Sequence, residues 1–483
     1  MEELAITAQL VAAVAPNKVS GRRTVSQNLE LFGTVHRLLD QLKTLQTGSY
    51  NWAAVCDQTD SRTTLDSRDE AVAVDAFTEW LAENKIAMDG ICIKRPPGNK
   101  DVGLGVFATH QIKKGDSLAK VPLRMIITND TSSSPALDKV AKTDVLFRSD
   151  PSVSLVVRLL QEYLEPTSFW QPYFGILPRK FTLPVLGSVT ELTEYSETSI
   201  IDEVVHDLIA LVRQYLYLQH MFKAMADPFI KLKDFTFVTF SWARAIVSTR
   251  QNEICYTNDQ TDSLNRFLGL ILYLTCSIML RVKLPSTTFD AKEHYSETTA
   301  ACQVDPGEQI FINYGNRSNQ ELFIYSGFVD PSNTKYDRIR VLVSLAQSDP
   351  VFAKREKLLE MFNMSSEARL DLAGPPVIEK SAKLIRYLQV LTMDAAQLEF
   401  ILNSTDPVAC MLSSDLNNSP SKIKALEWIR LRCLILKRGL EKHVATDQVA
   451  LEAEKAGTPA KLRLAEYAHL TGIEIDISSL LQE

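Results

Sequence analysis

The stretch from Asp305 to Phe328, DPGEQIFINYGNRSNQELFIYSGF, restricts the fold of this chain more than any other. Gln309 to Asn313 is short and apolar, bounded by Pro306 and Gly307 before it and by Tyr314 and Gly315 after it, which predicts a buried strand ending in a turn. That turn sets a tyrosine hydroxyl at a strand end, next to a glycine free to take unusual backbone angles. The polar residues Asn316 to Asn319 then give way to Leu322, Phe323 and Tyr325, a return into the core. A strand, an exposed polar turn and a buried return form a good platform for chemistry. An isolated Tyr-Gly pair would mean only that a strand ends, so the weight falls on what surrounds it.

With 483 residues the chain can hold two or three domains with sizeable cores. Its formal charge of -7 excludes general affinity for nucleic acid, because no excess of Lys and Arg exists to displace counterions from phosphates. Seven cysteines (56, 92, 255, 276, 302, 410 and 433) are scattered without a CxxC pair. Such spacing suits reduced thiols in a cytosolic or nuclear protein and implies no metal. The start, MEELAITAQLVAAVAPNK, carries Glu2 and Glu3 and lacks the basic opening of a secretory signal.

Apolar residues at helical spacing predict a helix over Leu29 to Leu45 and another over Asp75 to Asn84, separated by the polar stretch Gln58 to Asp69. Strand-like runs Ile91 to Lys94 and Val106 to Thr109 flank the loop PPGNKDVGLG, whose Gly103 and Gly105 are weak evidence of function by themselves. From about Ser133 to Val247 the pattern is helical, over Leu155 to Leu164, Ile200 to Leu218 and Phe235 to Val247. Trp170, Tyr173 and Phe174 are expected in its packed core. Beyond Arg338 to Leu345 the chain is mostly helix, with Leu384, Tyr387, Leu388 and Leu391 on one apolar face and Leu426, Ile429, Cys433 and Leu436 on another. Lys437, Arg438 and Gly439 are expected to stop that last helix.

GEQIFINYG, then RSN and ELFIYSGF, together resemble the C-terminal half of a SET-domain methyltransferase of the Rubisco-methyltransferase-like class. SFWQPYFGILP (Ser168 to Pro178) and TRQN (Thr249 to Asn252) narrow the resemblance to the actin-histidine methyltransferases, over roughly residues 65 to 475. The resemblance implies an α+β fold: a SET β-fold with an inserted all-helical subdomain, followed by a helical C-terminal substrate-binding domain. The expected divisions are a helical segment and linker over 1–65, a SET domain over 66–330 with its insertion at about 130–247, and the Rubisco LSMT-like domain over 331–483.

It also implies S-adenosylmethionine as cofactor and a protein substrate, actin, with no metal, nucleic acid or membrane as partner. Tyr314 matches the active-site tyrosine. Arg68 and Arg250 match cofactor-contacting arginines, suited to the carboxylate of the donor because a guanidinium grips carboxylates in a planar fork. Val102, Gly103, Leu104, Ser326, Gly327 and Phe328 match the other cofactor-binding positions. Asn252 matches the amide that bonds the target imidazole, with Tyr314 the second catalytic residue, while Arg213, Gln251 and Arg317 match peptide-contacting positions. Histidine suits such a reaction, since an imidazole titrating near pH 6.5 is largely neutral at its attacking nitrogen, whereas a lysine near 10.4 must first lose a proton. A protein-lysine methyltransferase on the same fold is the alternative enzyme.

One segment departs from the resemblance. Where the class carries text like IPLWDMCNH, with an Asn-His pair against the cofactor, this chain reads LILYLTCSIMLRVKLPST. Thr275, Cys276, Ser277, Ile278 and Met279 stand in that place and supply neither group. The apolar run Phe267 to Leu280 is shorter than the ~20 residues of a membrane span. Two readings remain, an altered strand in a non-catalytic protein-binding relative, or translation in the wrong frame. Codons exist for Leu272 to Leu280 that, read one nucleotide earlier, give Pro-Leu-Phe-Asp-Met-Phe-Asn-His-Ala. Recovery of Asp-Met-x-Asn-His in register favours a local frame error or small deletion, corrected by about Phe289.

Overall fold

The computed structural model describes residues 2–15, 23–46, 67–86, 88, 90–96, 103–129, 134–258, 263–271, 286–311, 314–412, 419–453 and 457–482. The chain divides into two compact units: residues 1–188, 205–315 and 325–327 form the first, and 189–204, 316–324 and 328–483 the second.

Among the described residues the first unit carries three antiparallel sheets of three strands. β1 (Ile91–Lys94), β2 (Gly105–Ala108) and β9 (Gln309–Ile310) lie in the order β1-β2-β9. β3 (Ser117–Pro122), β8 (Tyr295–Thr299) and β7 (Ser286–Asp290) form the second, and β4 (Ile126–Thr128), β6 (Ser263–Ile271) and β5 (Gln251–Asn258) the third. β9 is shorter than the strand expected over Gln309 to Asn313. Its register, Val106 opposite Ile310, leaves only Gly105 of β2 to face Phe311, so the partner strand runs out. Ile312 and Asn313 lie outside the described residues.

The helical stretch has the expected elements with longer bounds: Pro151–Tyr163, Ile201–Ala224 and Phe237–Arg250. Side chains set where such helices begin. Asp150 accepts the Ser152 N–H before the first, and Thr236 and Thr239 form a reciprocal capping box before the last. Trp170, Tyr173 and Phe174 are buried as expected, and Tyr163 packs on Trp242 with ring centroids 4.3 Å apart. Toward the N-terminus, Val25–Gln46 contains the first helix foreseen; Ser67–Glu83 covers the second as far as Glu83 and begins earlier, within the stretch expected to separate them. A further helix, Glu2–Ala13, was not foreseen; it buries only Ile6 and Leu10, too sparse a stripe to announce itself.

In the second unit, β10 (Arg338–Ser344) pairs with β11 (Glu367–Ala373), and Ile339, Val341 and Val343 alternate into the core. The helices Pro420–Glu452 and Thr458–Leu480 pack together. The expected stop at Lys437 to Gly439 is overturned, because the helix continues to Glu452. Lys437 is buried and pairs with Glu474 at 2.6 Å, and fully buried Leu440 extends the apolar stripe, so packing outweighs the helix-breaking tendency of Gly439.

The short segment 189–204 is strapped into this second unit. Glu197 pairs with Lys442 and His443, Glu203 with Arg340 and Arg369, and Tyr195 packs on Phe323 at 4.9 Å.

Candidate active site

Arg250, Gln251 and Asn252 sit where the helix Phe237–Arg250 passes directly into β5. The Gln251 N–H still bonds back to the Val247 carbonyl, so helix and strand meet without a loop. Asn252 lies opposite Gly269 of β6, where a Cβ would come within 2.8 Å of Ile126. The amide Nδ2 of Asn252 donates to the Arg250 carbonyl at 3.1 Å. A carbonyl only accepts, so the amide orientation is fixed and Oδ1 is the group left to accept a ligand N–H. On the opposite face of β5, Gln251 Oε1 is buried with no hydrogen-bond partner among the described residues.

A second set of residues converges on Phe181 and Thr182. The Arg250 guanidinium lies 6.0 Å from the Phe181 ring centre, a cation over an aromatic face, and also bonds Thr249 Oγ1. Thr182 Oγ1 donates to the Gly327 carbonyl at 2.7 Å, and Ser248 Oγ to the Tyr325 carbonyl at 2.9 Å. Gly327 has φ +79, and a side chain there would collide with Thr182. Arg250 and the Ser326–Gly327 segment are thereby brought together.

A third set forms around β2. Gly103 and Leu104 enter that strand, which pairs with β9, the strand leading toward Tyr314. Tyr314 is half-buried, and Gly315 after it has φ +79, the left-handed conformation anticipated for a glycine there. Gln309 packs against Gly105, and its Nε2 is buried with no hydrogen-bond partner among the described residues.

Other expected positions fall elsewhere. Arg213 is on the Ile201–Ala224 helix, where its Nε donates to the Val14 carbonyl at 2.7 Å. It therefore closes the C-terminal end of the Glu2–Ala13 helix, a use that the unforeseen first helix concealed. Arg317 and Phe328 belong to the second unit; the Arg317 carbonyl accepts from Asn333 Nδ2 at 2.8 Å. Arg68 lies on the helix Ser67–Glu83, its side chain outside the described residues, as are Val102 and the whole of Thr275 to Met279. Phe181, Thr182 and Ser248 were not anticipated. The one signal was Ser248 itself, a hydroxyl following the apolar run Ala245 to Val247.

The fit of a sulfonium amino-acid cofactor can be tested on these atoms. Among the described residues a Cβ at Gly103 would meet nothing within 4 Å, so they leave its backbone open to close approach. Arg250 places a guanidinium beside the Phe181 ring, and Gln309 Nε2 is a buried donor with no acceptor among the described residues. The described residues fit such a group. Among them no cluster of ligands suits a metal ion, and no helix is long and apolar enough to cross a membrane.

The sheets, the helical insertion and the helical C-terminal region define a mixed α+β protein with the SET-domain architecture of Rubisco LSMT. The structure of Rubisco LSMT bound to AdoMet superposes with a TM-score of 0.64 at 20% identity, covering 85% of this chain and 92% of that one. A family profile described as Rubisco LSMT substrate-binding matches residues 346–470. More particularly, the chain is similar to actin-histidine N-methyltransferases. That of Rhinolophus ferrumequinum is 27% identical over 400 residues, covering 80% of this chain and 65% of that protein. That of Xenopus tropicalis is 28% identical over 382 residues, covering 77% of this chain and 64% of that protein. The chain thus spans just under two thirds of the length of these relatives.

Proposed function

We propose that the chain is an S-adenosylmethionine-dependent protein-histidine N-methyltransferase whose substrate is a histidine of actin. The observation that carries this reading is the fixed amide of Asn252, with Oδ1 left to accept an N–H. An imidazole bonded there through one ring N–H is held in a single tautomer, with the lone pair of its other nitrogen free to attack. The similarity to actin-histidine N-methyltransferases over most of the chain supports histidine and actin in these roles.

When bound, the cofactor supplies an electrophilic methyl on a positively charged sulfur. The chain's own residues align and shield. Arg250, with Arg68 from its helix, holds the carboxylate, while the backbone of Val102 to Leu104 and the Ser326 to Phe328 segment receive the rest. The Tyr314 hydroxyl orients the acceptor ring, and Gln251, Arg213 and Arg317 are the proposed peptide contacts. For Arg213 this requires releasing its bond to Val14. After transfer, the N–H proton on Asn252 Oδ1 belongs to a methylimidazolium and is lost to water.

Mass spectrometry of actin incubated with protein and cofactor tests the reading. A methyl on histidine is expected; methyl on lysine alone overturns the assignment. One observation favours a second reading, a non-catalytic binding protein: the printed Thr275 to Met279. Isothermal titration with S-adenosylmethionine distinguishes it, since such a protein gives no binding heat.

A further inference from the structure

Inside the second unit lies a group of buried acids for which the proposed reaction has no use. Glu466 is 4% exposed, Asp337 7% and His469 9%. The Glu466 carboxylate accepts the Ser199 N–H at 3.1 and 3.3 Å, and Ser199 Oγ in turn meets Gln320 Nε2. Asp337 accepts the Asn319 N–H at 2.8 Å, its side-chain Nδ2 at 3.0 Å and the Arg338 N–H at 3.1 Å. Asn319 Oδ1 then accepts from the Asp330 N–H at 2.9 Å. The strap 189–204 and the first turn of the helix Asn319–Ser326 thus both rest on two carboxyls.

The charges around these carboxyls come from several elements. His469, one turn beyond Glu466, donates from Nε2 to the Leu372 carbonyl at 3.1 Å, so Nδ1 is its second proton site. Its positive charge, when present, favours ionised Asp337, while Asp337 disfavours ionised Glu466. The other nearby cations have partners of their own. Lys442 faces Glu197, Arg340 and Arg369 face Glu203, Arg338 faces Glu321, and Arg463 faces Asp447.

Two carboxyls in one dry interior resist being charged together. We propose that Glu466 and Asp337 form a proton-holding clamp on the strap 189–204 and on the first turn of Asn319–Ser326, closed while the pair keeps a proton and loosened when both ionise. Burial pushes the Glu466 carboxyl up to about 7 and raises Asp337 as well, despite the hydrogen bonds each accepts. A carboxyl with a raised folded-state value stabilises most fully below its unfolded value and loses that contribution as pH climbs through the folded one. The clamp therefore opens on going from mildly acidic to neutral solution.

Hydrogen exchange of the full chain, followed by mass spectrometry and corrected for the intrinsic pH dependence of exchange, tests this independently of methyl transfer. Between about pH 5.5 and about pH 7.5, protection of peptides from 189–204 and 316–324 is expected to fall by up to about tenfold per pH unit until Glu466 has titrated. Peptides from the middle of the Pro420–Glu452 helix are expected to stay unchanged. Glu466→Gln, which mimics the protonated acid, is expected to stay protected throughout, and His469→Gln to keep the wild-type slope. Equal protection of the wild type at both ends, an unaltered slope in Glu466→Gln, or loss of the slope in His469→Gln alone would overturn the clamp. Should Glu466→Gln fail to fold, the wild-type and His469→Gln slopes still decide.

Discussion

The Asn252 side chain is held by the carbonyl of Arg250, two residues back, so its role depends on very few atoms. Asn252→Ala removes the acceptor while leaving the strand pairing, and kcat/KM for a histidine peptide is expected to fall about tenfold to a hundredfold, the value of one hydrogen bond to a developing charge. A steady-state assay reads this; unchanged kcat/KM would remove Asn252 from the site. Arg213→Ala separates two uses of one side chain. Loss of the bond to Val14 is expected to destabilise the Glu2–Ala13 helix by about 1 kcal/mol, seen as faster exchange there, and a rise in KM without that loosening would restore its peptide role. TRQN drew attention to Arg250 and Asn252 through its resemblance to a family motif; the passage from helix into strand at that point was not read from the sequence. Nor was the capture of Arg213, since its partner is a backbone carbonyl, and every residue has one of those.

Elements were legible wherever their apolar period was strong. The Phe237–Arg250 helix and β1 were read from sequence, whereas β11 and the continuation of Pro420–Glu452 past Gly439 were not. Local rules place Gly439 at a helix end, yet Leu440 is fully buried and Lys437 finds Glu474 on the neighbouring helix. Tertiary packing decides there, and single-sequence patterns do not contain it. Leu440→Ala is accordingly expected to cost about 2–5 kcal/mol in denaturant unfolding, as for a fully buried side chain, rather than the small effect of a frayed helix end. Gly269→Ala tests the close β4-β6-β5 packing: the added carbon would press on Ile126, and a loss of about 1–3 kcal/mol is expected in the same measurement.

At the scale of the whole molecule, the SET architecture followed from several motifs together, and the sheet order and composition of each unit did not. Thr275 to Met279, where the text departs from the family resemblance, lie outside the described residues, so the transcript must decide them. Sequencing across codons 272–285 is expected to show the shifted frame, and the corrected chain to bind S-adenosylmethionine more tightly in calorimetry than the printed one. Acid titration offers another check: the Glu466 contribution is complete below its unfolded value and is lost as pH rises toward about 7, up to about 3 kcal/mol in denaturant unfolding. The strap carries a consequence for inheritance as well as for folding. Because 189–204 and 316–324 complete the second unit from well upstream, a fragment begun at residue 331 would leave Arg340 and Arg369 without Glu203 and Glu466 without Ser199. Moved to another protein as one continuous piece, this C-terminal region would therefore arrive without the two upstream segments that complete its unit.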